Sequence, residues 1–441
     1  MKLYEIIKSL QAASGSNAKQ AILEANRTDK LLQYYLWATY DPALSYYITK
    51  LPDVKGWTGN QEFDVMDIDW VVTNLAKRTV TGHEAVACFG GHLSALNQES
   101  IELMGLLIKR SVGAGVGDTM ILKTWPNLYF LPPYQRCSLM DDKIKAKFEK
   151  LPVMYVQPKL DGSFMYLVKE SGKPPEAITR AGSKYPQWFA DKLAEGLPDD
   201  YVLIGEALVI DKGVTLDRQT GNGILNSILK SSENEYKHLE FTLTAWDMIN
   251  PEEFKAGKSS VTYHNRLRML FSMYDHCEPK SVEVIKNKAV ANLKDAYSLY
   301  SSFTAQGLEG AVLKNPDSLW KDGTSKDCIK LKTEFVIDLL ITAVKEGTGK
   351  AAGMLGAVSV QSREGIIACD VGTGFSDAQR KEYWENPPIG DIMSVKANDI
   401  IGNRNDQFKS LFLPVHLEVR ADKKVADSYE HCVAQLNAAR N

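Results

Sequence analysis

The chain has 441 residues with 44% hydrophobic and 24% charged side chains and a net charge of −3, the make-up of an ordinary soluble globular protein of about two to four domains. No apolar run reaches the ~18 residues of a membrane span, the first residues lack a signal-peptide core, and the cysteines (88, 137, 277, 328, 369 and 432) show no CxxC spacing; a membrane partner, a disulfide framework and a structural zinc site are not expected, and the thiols suit a reducing cytoplasm. The near-zero charge neither supports nor excludes a nucleic-acid partner, because lysines and arginines lining one surface are compatible with an acidic total.

Residues 1–128 read as helical. Ser16 and Asn17 are placed to cap a helix running from Ala18 through Ile22, Leu23, Leu31, Leu32 and Tyr35 in one or two pieces. Ser100 is placed to cap a second helix, with Ile101, Leu103, Met104, Leu107 and Ile108 inside, Lys109 and Arg110 at its close and Gly113 past its end. Gly113, Gly115 and Gly117 leave backbone amides free near Lys123. These cations have two readings: a solvated helix end with favourable dipole placement, which spacing alone favours, and contact with a phosphate backbone. A proline-marked joint follows at Leu131-Pro132-Pro133. Beyond Pro152 the pattern turns to strands at 153–157, 164–168, 201–210 and 241–246, with a turn at 171–173 and helical periods at 188–197 and 282–303. This mixture predicts an α+β domain ending near Thr333. From Phe335 onward, short runs at 356–361, 365–371, 391–398 and 416–420 suit a small β-barrel of about five strands.

Four segments of the α+β region carry chemistry: Lys159-Leu160-Asp161-Gly162, Gly205-Glu206, Glu309-Gly310 with Lys314, and Lys330-Leu331-Lys332. Together they offer one lysine nucleophile, two carboxylates for a metal ion and three further cations for phosphate. Those parts suffice to move a nucleotide from a triphosphate onto a lysine and then onto another acceptor. Strand alternation puts Glu206 on one face with Val202, Ile204, Leu208 and Ile210. A carboxylate among aliphatics costs several kcal/mol unless a cation or donor meets it; the other reading is a strand-end glutamate in solvent. Gly205 lets another backbone or a ligand come close. Lys330 and Lys332 share one strand face, where like charges repel unless an anion lies between them, although solvated edge strands also carry lysine. Glu309 and Lys314 fall on opposite faces of an unbroken strand, so Glu309 precedes the strand or sits at a bulge. A lysine amine of unperturbed pKa near 10.4 is only ~0.1% neutral at physiological pH; neighbouring cations and a metal lower that pKa, at about 1.36 kcal/mol per unit. Trp246 on its own reads as core packing.

Taken in order and at these intervals, the motifs resemble those of the covalent nucleotidyltransferases and, within them, the ATP-dependent DNA ligases, the T-even bacteriophage branch being the most similar. The resemblance spans nearly the whole chain and extends to Arg180-Ala181-Gly182, Trp246-Asp247 and Arg420-Ala421-Asp422-Lys423, and to residues 18–24, 123–126, 218–226 and 411–414. It implies a multidomain fold: an N-terminal all-α DNA-binding domain (1–128), a central α+β nucleotidyltransferase domain, ATP-grasp-like (129–334), and a C-terminal OB-fold β-barrel (335–441). It implies that Lys159 takes AMP from ATP, that the AMP passes to the 5′ phosphate of a DNA nick, and that the 3′ hydroxyl then displaces it.

The same resemblance assigns roles. Lys330 and Lys332 join Lys159 in catalysis. Gln157, Leu160, Arg180, Glu206, Lys314, Arg420 and Lys423 contact ATP, and Trp246 stacks on adenine. Glu206 and Glu309 serve Mg²⁺, for which Mn²⁺ can substitute, and Lys109, Arg110, Lys123, Arg180 and Arg218 meet DNA. A monomer acting on nicked double-stranded DNA is implied, in the host cytoplasm if the chain is phage-encoded. One position departs from the family: Phe164 stands where an arginine usually grips a ribose hydroxyl or the nick's 5′ phosphate, leaving Arg180 to take over part of that contact. RNA ligases and capping guanylyltransferases share the lysine chemistry, but a capping enzyme does not need the helical region and RNA ligases commonly lack the RxDK motif. A non-catalytic DNA clamp is opposed by the intact Lys159, Glu206, Glu309, Lys330 and Lys332.

Overall fold

The computed structural model describes residues 2–48, 50–52, 59–230, 235–332, 334–402 and 408–440; Thr333, the expected end of the α+β region, lies outside the described residues. Helices Leu3–Ala12, Ser16–Ala25, Lys30–Tyr40, Val65–Val71, Gly82–Leu93, Gln98–Ile108 and Asp118–Thr124 occupy the first part of the chain. Their apolar stripes meet in one core containing Ile6, Leu10, Leu32, Leu36, Phe89 and Leu107. Tyr35 crosses that core and donates its hydroxyl proton to the Leu103 carbonyl at 2.8 Å.

Two predicted caps are displaced. Ser16 is already helical behind Gly15, and the helix expected to start at Ser100 starts at Gln98. Asn97 caps it by accepting the Ser100 N–H at 2.9 Å; asparagine satisfies an orphan donor at least as well as serine. That helix closes ahead of Gly113 as expected: Ile108 is its last residue, Lys109 its C-cap, and Arg110 is left-handed with φ 55°.

Two sheets form the centre. The first runs in the order Gln135–Leu139, Gly323–Lys332, Gly310–Lys314, Met154–Lys159, Lys288–Val290. The second runs Glu176–Thr179, Ser163–Lys169, Tyr201–Asp211, Glu240–Ile249, Val282–Val284. Helices cover one face of each. Phe189, Leu193, Leu267 and Leu270 pack on Leu203, Val209 and Leu243 of the second sheet, while Phe148 and Ala296 pack on Val156, Leu313 and Ile329 of the first. The helical period expected at 282–303 is realised only from Leu293 to Ala305. Its first part forms two short strands, one parallel to Glu240–Ile249 and one antiparallel to Met154–Lys159, because open sheet edges there offer backbone partners that override the apolar spacing.

The third part is a barrel in the order Ala368–Val371, Leu355–Gln361, Phe335–Glu346, Ile392–Ala397, Val415–Arg420. A hairpin, Asp399–Gly402 with Lys409–Phe412, and bridges from Ile367 to Lys409 and Thr373 to Val415 link its two ends. Phe335–Glu346 was not among the predicted runs, yet it is the central strand and buries Phe335, Ile337, Leu339 and Ile341 inward. The run predicted at 365–371 begins only at Ala368. No helix among the described residues is long and apolar enough to cross a membrane.

One buried ion pair fastens the central helix Tyr263–Cys277 to its sheet. Arg266 donates to Asp247 through Nε at 2.7 Å and Nη2 at 2.9 Å, with the two side chains only 2% and 4% exposed. Removing one partner strands the other in low dielectric. Arg266→Met is therefore expected to cost about 3–5 kcal/mol of stability in urea unfolding at neutral pH; a loss below about 1 kcal/mol would show that the pair is not the fastening.

Candidate active site

The chain crosses from the first sheet to the second at residues 159–163. Lys159 is the last residue of its strand, opposite Gly310 in register. Its ammonium donates to the Glu309 carboxylate, and the two side chains are 27% and 24% exposed. Glu309 immediately precedes the strand Gly310–Lys314, one of the two placements that strand alternation allows. The turn presses hard on the second sheet: a Cβ on Gly162 would lie 2.5 Å from the Ala207 carbonyl oxygen and 2.9 Å from Glu206 Cγ. Only glycine permits that approach, and it brings Lys159 to Glu206.

Glu206 occupies the predicted face. Val202 and Ile204 share its inward side, while Leu203, Ala207 and Val209 lie beneath the helices. Burial pushes its carboxyl up to about 7; the Lys159 charge and the Gly162 amide pull it down, Glu309 adds to the rise and Arg218 opposes it.

Between the sheets lies a cavity of about 570 Å³ lined by Gln157, Lys159, Leu160, Arg180, Glu206, Arg218, Trp246 and Lys314. Trp246 enters it because of a β-bulge. Ile204 faces Asp247 and Gly205 faces Ala245, so Trp246 is the extra residue and its ring is re-aimed. A Cβ on Gly205 would sit 2.5 Å from the Thr244 carbonyl oxygen, which is the close approach anticipated for this glycine. Phe164, the departure from the family arginine, packs edge-on against Tyr134 and Tyr166 with centroids 4.9 and 4.8 Å apart, and lies 5.8 Å from the Trp246 ring. It builds an aromatic wall, with the Arg180 guanidinium 5.4 Å from the Tyr134 ring.

Lys314 is buried, with its ammonium 4.1 Å from the Tyr263 ring centroid. Burial pulls its pKa down, but Tyr263, Cys328 and Asp247 outweigh that and raise it overall, so the group stays charged. Tyr263 in turn accepts from Gln157 Nε2 at 2.6 Å and donates to the Trp246 carbonyl at 2.9 Å. Lys330 and Lys332 leave the opposite face of their strand, with Ile329 and Leu331, to the core. Lys332 donates to Asn398 of the barrel at 2.9 Å and borders a second cavity of about 800 Å³ with Asp161, Arg218, Glu309 and Phe412. Arg218 pairs with Asp161 at 2.7 Å and lies 5.1 Å from the Phe412 ring centroid.

Several expected contacts are not made in this arrangement. Lys330, Lys332, Arg420 and Lys423 are not among the residues that line the first cavity. Lys423 is held by Asp338 at 2.8 Å and Asp427 at 2.6 Å, and Arg420 by Asp338 at 3.2 Å and by Asp422. Arg110, expected on DNA, turns inward and donates to the Leu44 and Asp41 carbonyls, whereas Lys109 and Lys123 are exposed. Among the described residues no three His, Cys, Asp or Glu gather as a metal cluster, so Glu206 and Glu309 stand as a pair. Tyr134, Tyr263, Asn398, Cys137 and Cys328 escaped the motif reading; each reaches the site through strand pairing or domain contact, which no local spacing announces.

Comparison with known proteins gives the same direction. Residues 135–332 match the family described as ATP dependent DNA ligase domain, and residues 346–408 the DNA ligase OB-like domain. The DNA ligases of Enterobacteria phages T4 and T6 are each 27% identical over 97% of this chain and 97% of their own. The DNA ligase of Pyrobaculum neutrophilum is 33% identical over 64% of this chain and 54% of its own. Among solved structures, Pmar-Lig_PreS3 shares the fold with a TM-score of 0.73 at 20% identity, covering 95% of this chain and 99% of its own.

Glu206 offers a direct test of the cleft's electrostatics. Its carboxyl is raised from 4.5 to about 7, so its contribution to stability is present below the ordinary carboxylate range and is lost as pH rises toward 7. Glu206→Gln is expected to leave the melting temperature of the nucleotide-free protein nearly unchanged at pH 5 and to raise it by a few degrees at pH 8, measured by scanning calorimetry. Equal shifts at both pH values would show that the buried carboxyl does not titrate as described.

Proposed function

Because the chain belongs to the ATP-dependent DNA ligase family, we propose that Lys159 is the residue that carries AMP and that the cleft between the central sheets is where it does so. A ligase of this family forms phosphodiester bonds at the expense of ATP. The observation that supports the residue-level reading is the crossing at 159–163, which gathers the Lys159 amine, the Glu206 carboxyl and the buried Lys314 ammonium around one cavity, with Glu309 paired to the amine.

In this reading Lys159 Nζ attacks the α-phosphorus of ATP, pyrophosphate leaves and a lysine–AMP phosphoramidate forms. The amine must first leave the Glu309 carboxylate that holds its proton in the free chain. Trp246, backed by Phe164, stacks on the base, and the Gln157–Tyr263 hydrogen bond fixes the wall behind it. Lys314 and Lys330 stabilise charge on the phosphates in flight. The AMP then passes to the 5′ phosphate of a nick, and the 3′ hydroxyl displaces it.

Magnesium fits the residues present as a water-bridged ion rather than a caged one. Glu206 is a carboxyl that burial holds near 7, with the Glu309 charge adding to the rise, and a cation beside it favours its ionised form. Glu206 and Glu309 would hold the ion through water, as magnesium prefers, and when bound it would offset phosphate charge.

Exposed Lys109 and Lys123 on the helical part and Arg180 and Arg218 at the cleft are assigned to the DNA backbone. The substrate is nicked duplex DNA, and the enzyme acts as a monomer in the cytoplasm, that of the host if the chain is phage-encoded. Division into domains 1–128, 129–334 and 335–441 belongs to this reading. So does a second barrel orientation, in which Arg420 and Lys423 leave their acidic partners to face ATP.

Two variants test this. Lys159→Ala is expected to abolish the covalent AMP adduct seen by intact-mass spectrometry and all sealing with fresh ATP; sealing that persists would sink the assignment. Arg420→Ala is expected to lower self-adenylation by a hundredfold or more while sparing sealing of a pre-adenylated nick, and equal loss of both would count against the reoriented barrel.

A further inference from the structure

Cys137 and Cys328 are 191 positions apart in the chain, yet their Sγ atoms lie 2.9 Å from each other. A register shift brings them together. Cys137 faces Ser325 across the parallel strand pair, but the next residue, Ser138, faces Ile329. The three residues 326–328 therefore bulge, and Cys328 arrives beside Cys137. The bulge is pinned on its other side, where Asp327 pairs with Lys147 at 2.6 Å and accepts from Asn315 at 2.7 Å. Both thiols line the cavity that holds Lys159 and Trp246. Cys137 is half-buried and Cys328 buried, and both are free thiols.

Their surroundings divide the chemistry between them. A hydrogen bond from the Cys328 thiol, together with the Lys314, Lys330 and Lys159 charges, overcomes burial and pulls the Cys137 pKa below the ordinary thiol value. Cys328 is pushed the other way, by that same hydrogen bond and by burial. The pair is thus unsymmetrical: the Cys137 sulfur facing the cavity ionises the more readily, and the Cys328 sulfur lies within reach of it.

We propose that Cys137 and Cys328 form an oxidisable dithiol in the wall of the nucleotide cleft, and that hydrogen peroxide or a small hydroperoxide converts it to a disulfide that slows AMP transfer to Lys159. The Cys137 thiolate attacks one peroxide oxygen, the O–O bond breaks, and with a proton the products are a sulfenic acid and water. The Cys328 sulfur then attacks the sulfenic sulfur, an S–S bond forms and a second water leaves. The two thiols lose two electrons and two protons, and hydrogen peroxide is reduced to two waters, or a hydroperoxide to its alcohol and one water. Closing the bond shortens the sulfur separation to about 2.05 Å. Cys328 lies opposite Lys314 in register and two residues before Lys330 on its strand. A shift of about 1 Å in such charge-stabilising groups can cost on the order of a hundredfold in rate.

The effect on AMP transfer rests on the ligase reading; the thiol chemistry does not. The full-length protein, reduced and then treated with hydrogen peroxide, is alkylated and digested without reductant, and peptides are mapped by mass spectrometry. In parallel the covalent AMP formed with ATP and Mg²⁺ is measured before oxidation, after it, and after re-reduction. The expected result is a cross-linked peptide pair joining Cys137 to Cys328, with AMP transfer slowed at least fivefold and restored by reductant. ATP added without divalent metal before the peroxide should slow cross-linking, since both thiols line the cavity that the nucleotide would fill. Cys137→Ser and Cys328→Ser, each compared with its own reduced rate, should lose less than twofold. Absence of the cross-link, a cross-link without slowing, or equal loss in the serine variants would each overturn the proposal. Cross-linking that proceeds and is slowed by ATP, in a protein that never accepts AMP, would uphold the dithiol at a nucleotide cleft and remove the ligase reading instead.

Discussion

The site depends on one steric constraint, the pressing of the 160–162 turn onto the strand Tyr201–Asp211. The space for a side chain at Gly162 is already filled by the Ala207 carbonyl and by Glu206 itself. That contact lets the chain leave one sheet at Lys159 and enter the other at Ser163 with almost no connecting loop. A longer connection would separate the amine from the carboxylate on the neighbouring sheet. It would also carry conformational entropy that the site must lose on binding. The lysine and its acidic neighbours are therefore held by sheet geometry rather than by loop ordering, which is the rigid placement that proximity-based catalysis requires.

Around that crossing, charges are set where water is scarce, and each is met differently. Lys159 is met by Glu309, and Lys314 by the face of Tyr263. Glu206 is met only partly, so burial wins and its carboxyl rises to about 7. The deeper pair Arg266–Asp247 is fully satisfied and carries no solvent-facing role. Its work is to hold the strand on which Trp246 bulges. The residues assigned to chemistry thus have incomplete or exchangeable partners, while those assigned to scaffolding have complete ones. That asymmetry is what a phosphate ligand and its cation would resolve, since adding opposite charge in a low-dielectric cleft gains more than it would in water.

Much of this was legible because strands alternate strictly. The inward face of Glu206 and the shared face of Lys330 and Lys332 follow from period two, which also narrows Glu309 to two placements, ahead of its strand or at a bulge. Alternation fails where pairing is irregular. Trp246 lies on the cleft because of a bulge that needs Gly205 and a neighbouring strand to exist, and Cys328 meets Cys137 through a three-residue register shift between segments far apart in sequence. The span 282–303 was misread because Val282–Val284 and Lys288–Val290 are strands only by virtue of the edges they cover. The cap at Asn97 lies three residues before the expected Ser100, since nearby polar residues compete for the same orphan amides, and Gly15 opens its helix with no side-chain cap at all. Local patterns report what a segment prefers; they do not report which distant segment will satisfy it.

The placement of the barrel is the feature with the widest consequence for mechanism. In this arrangement Lys332 bonds Asn398, and Arg218 sits near Phe412, so the barrel grips two residues assigned to the reaction and the DNA. A charged hydrogen bond and an exposed cation–π contact together amount to about 2–4 kcal/mol. Arg420 and Lys423 are meanwhile occupied by Asp338 and its acidic neighbours on the barrel's own surface. A ligand whose affinity for two barrel orientations differs by 10²–10³-fold supplies about 3–4 kcal/mol, enough to offset the contacts named here. In the proposed cycle, the contacts at Lys332 and Arg218 are the ones a barrel turning toward a triphosphate would exchange, and their modest size is what that reading requires.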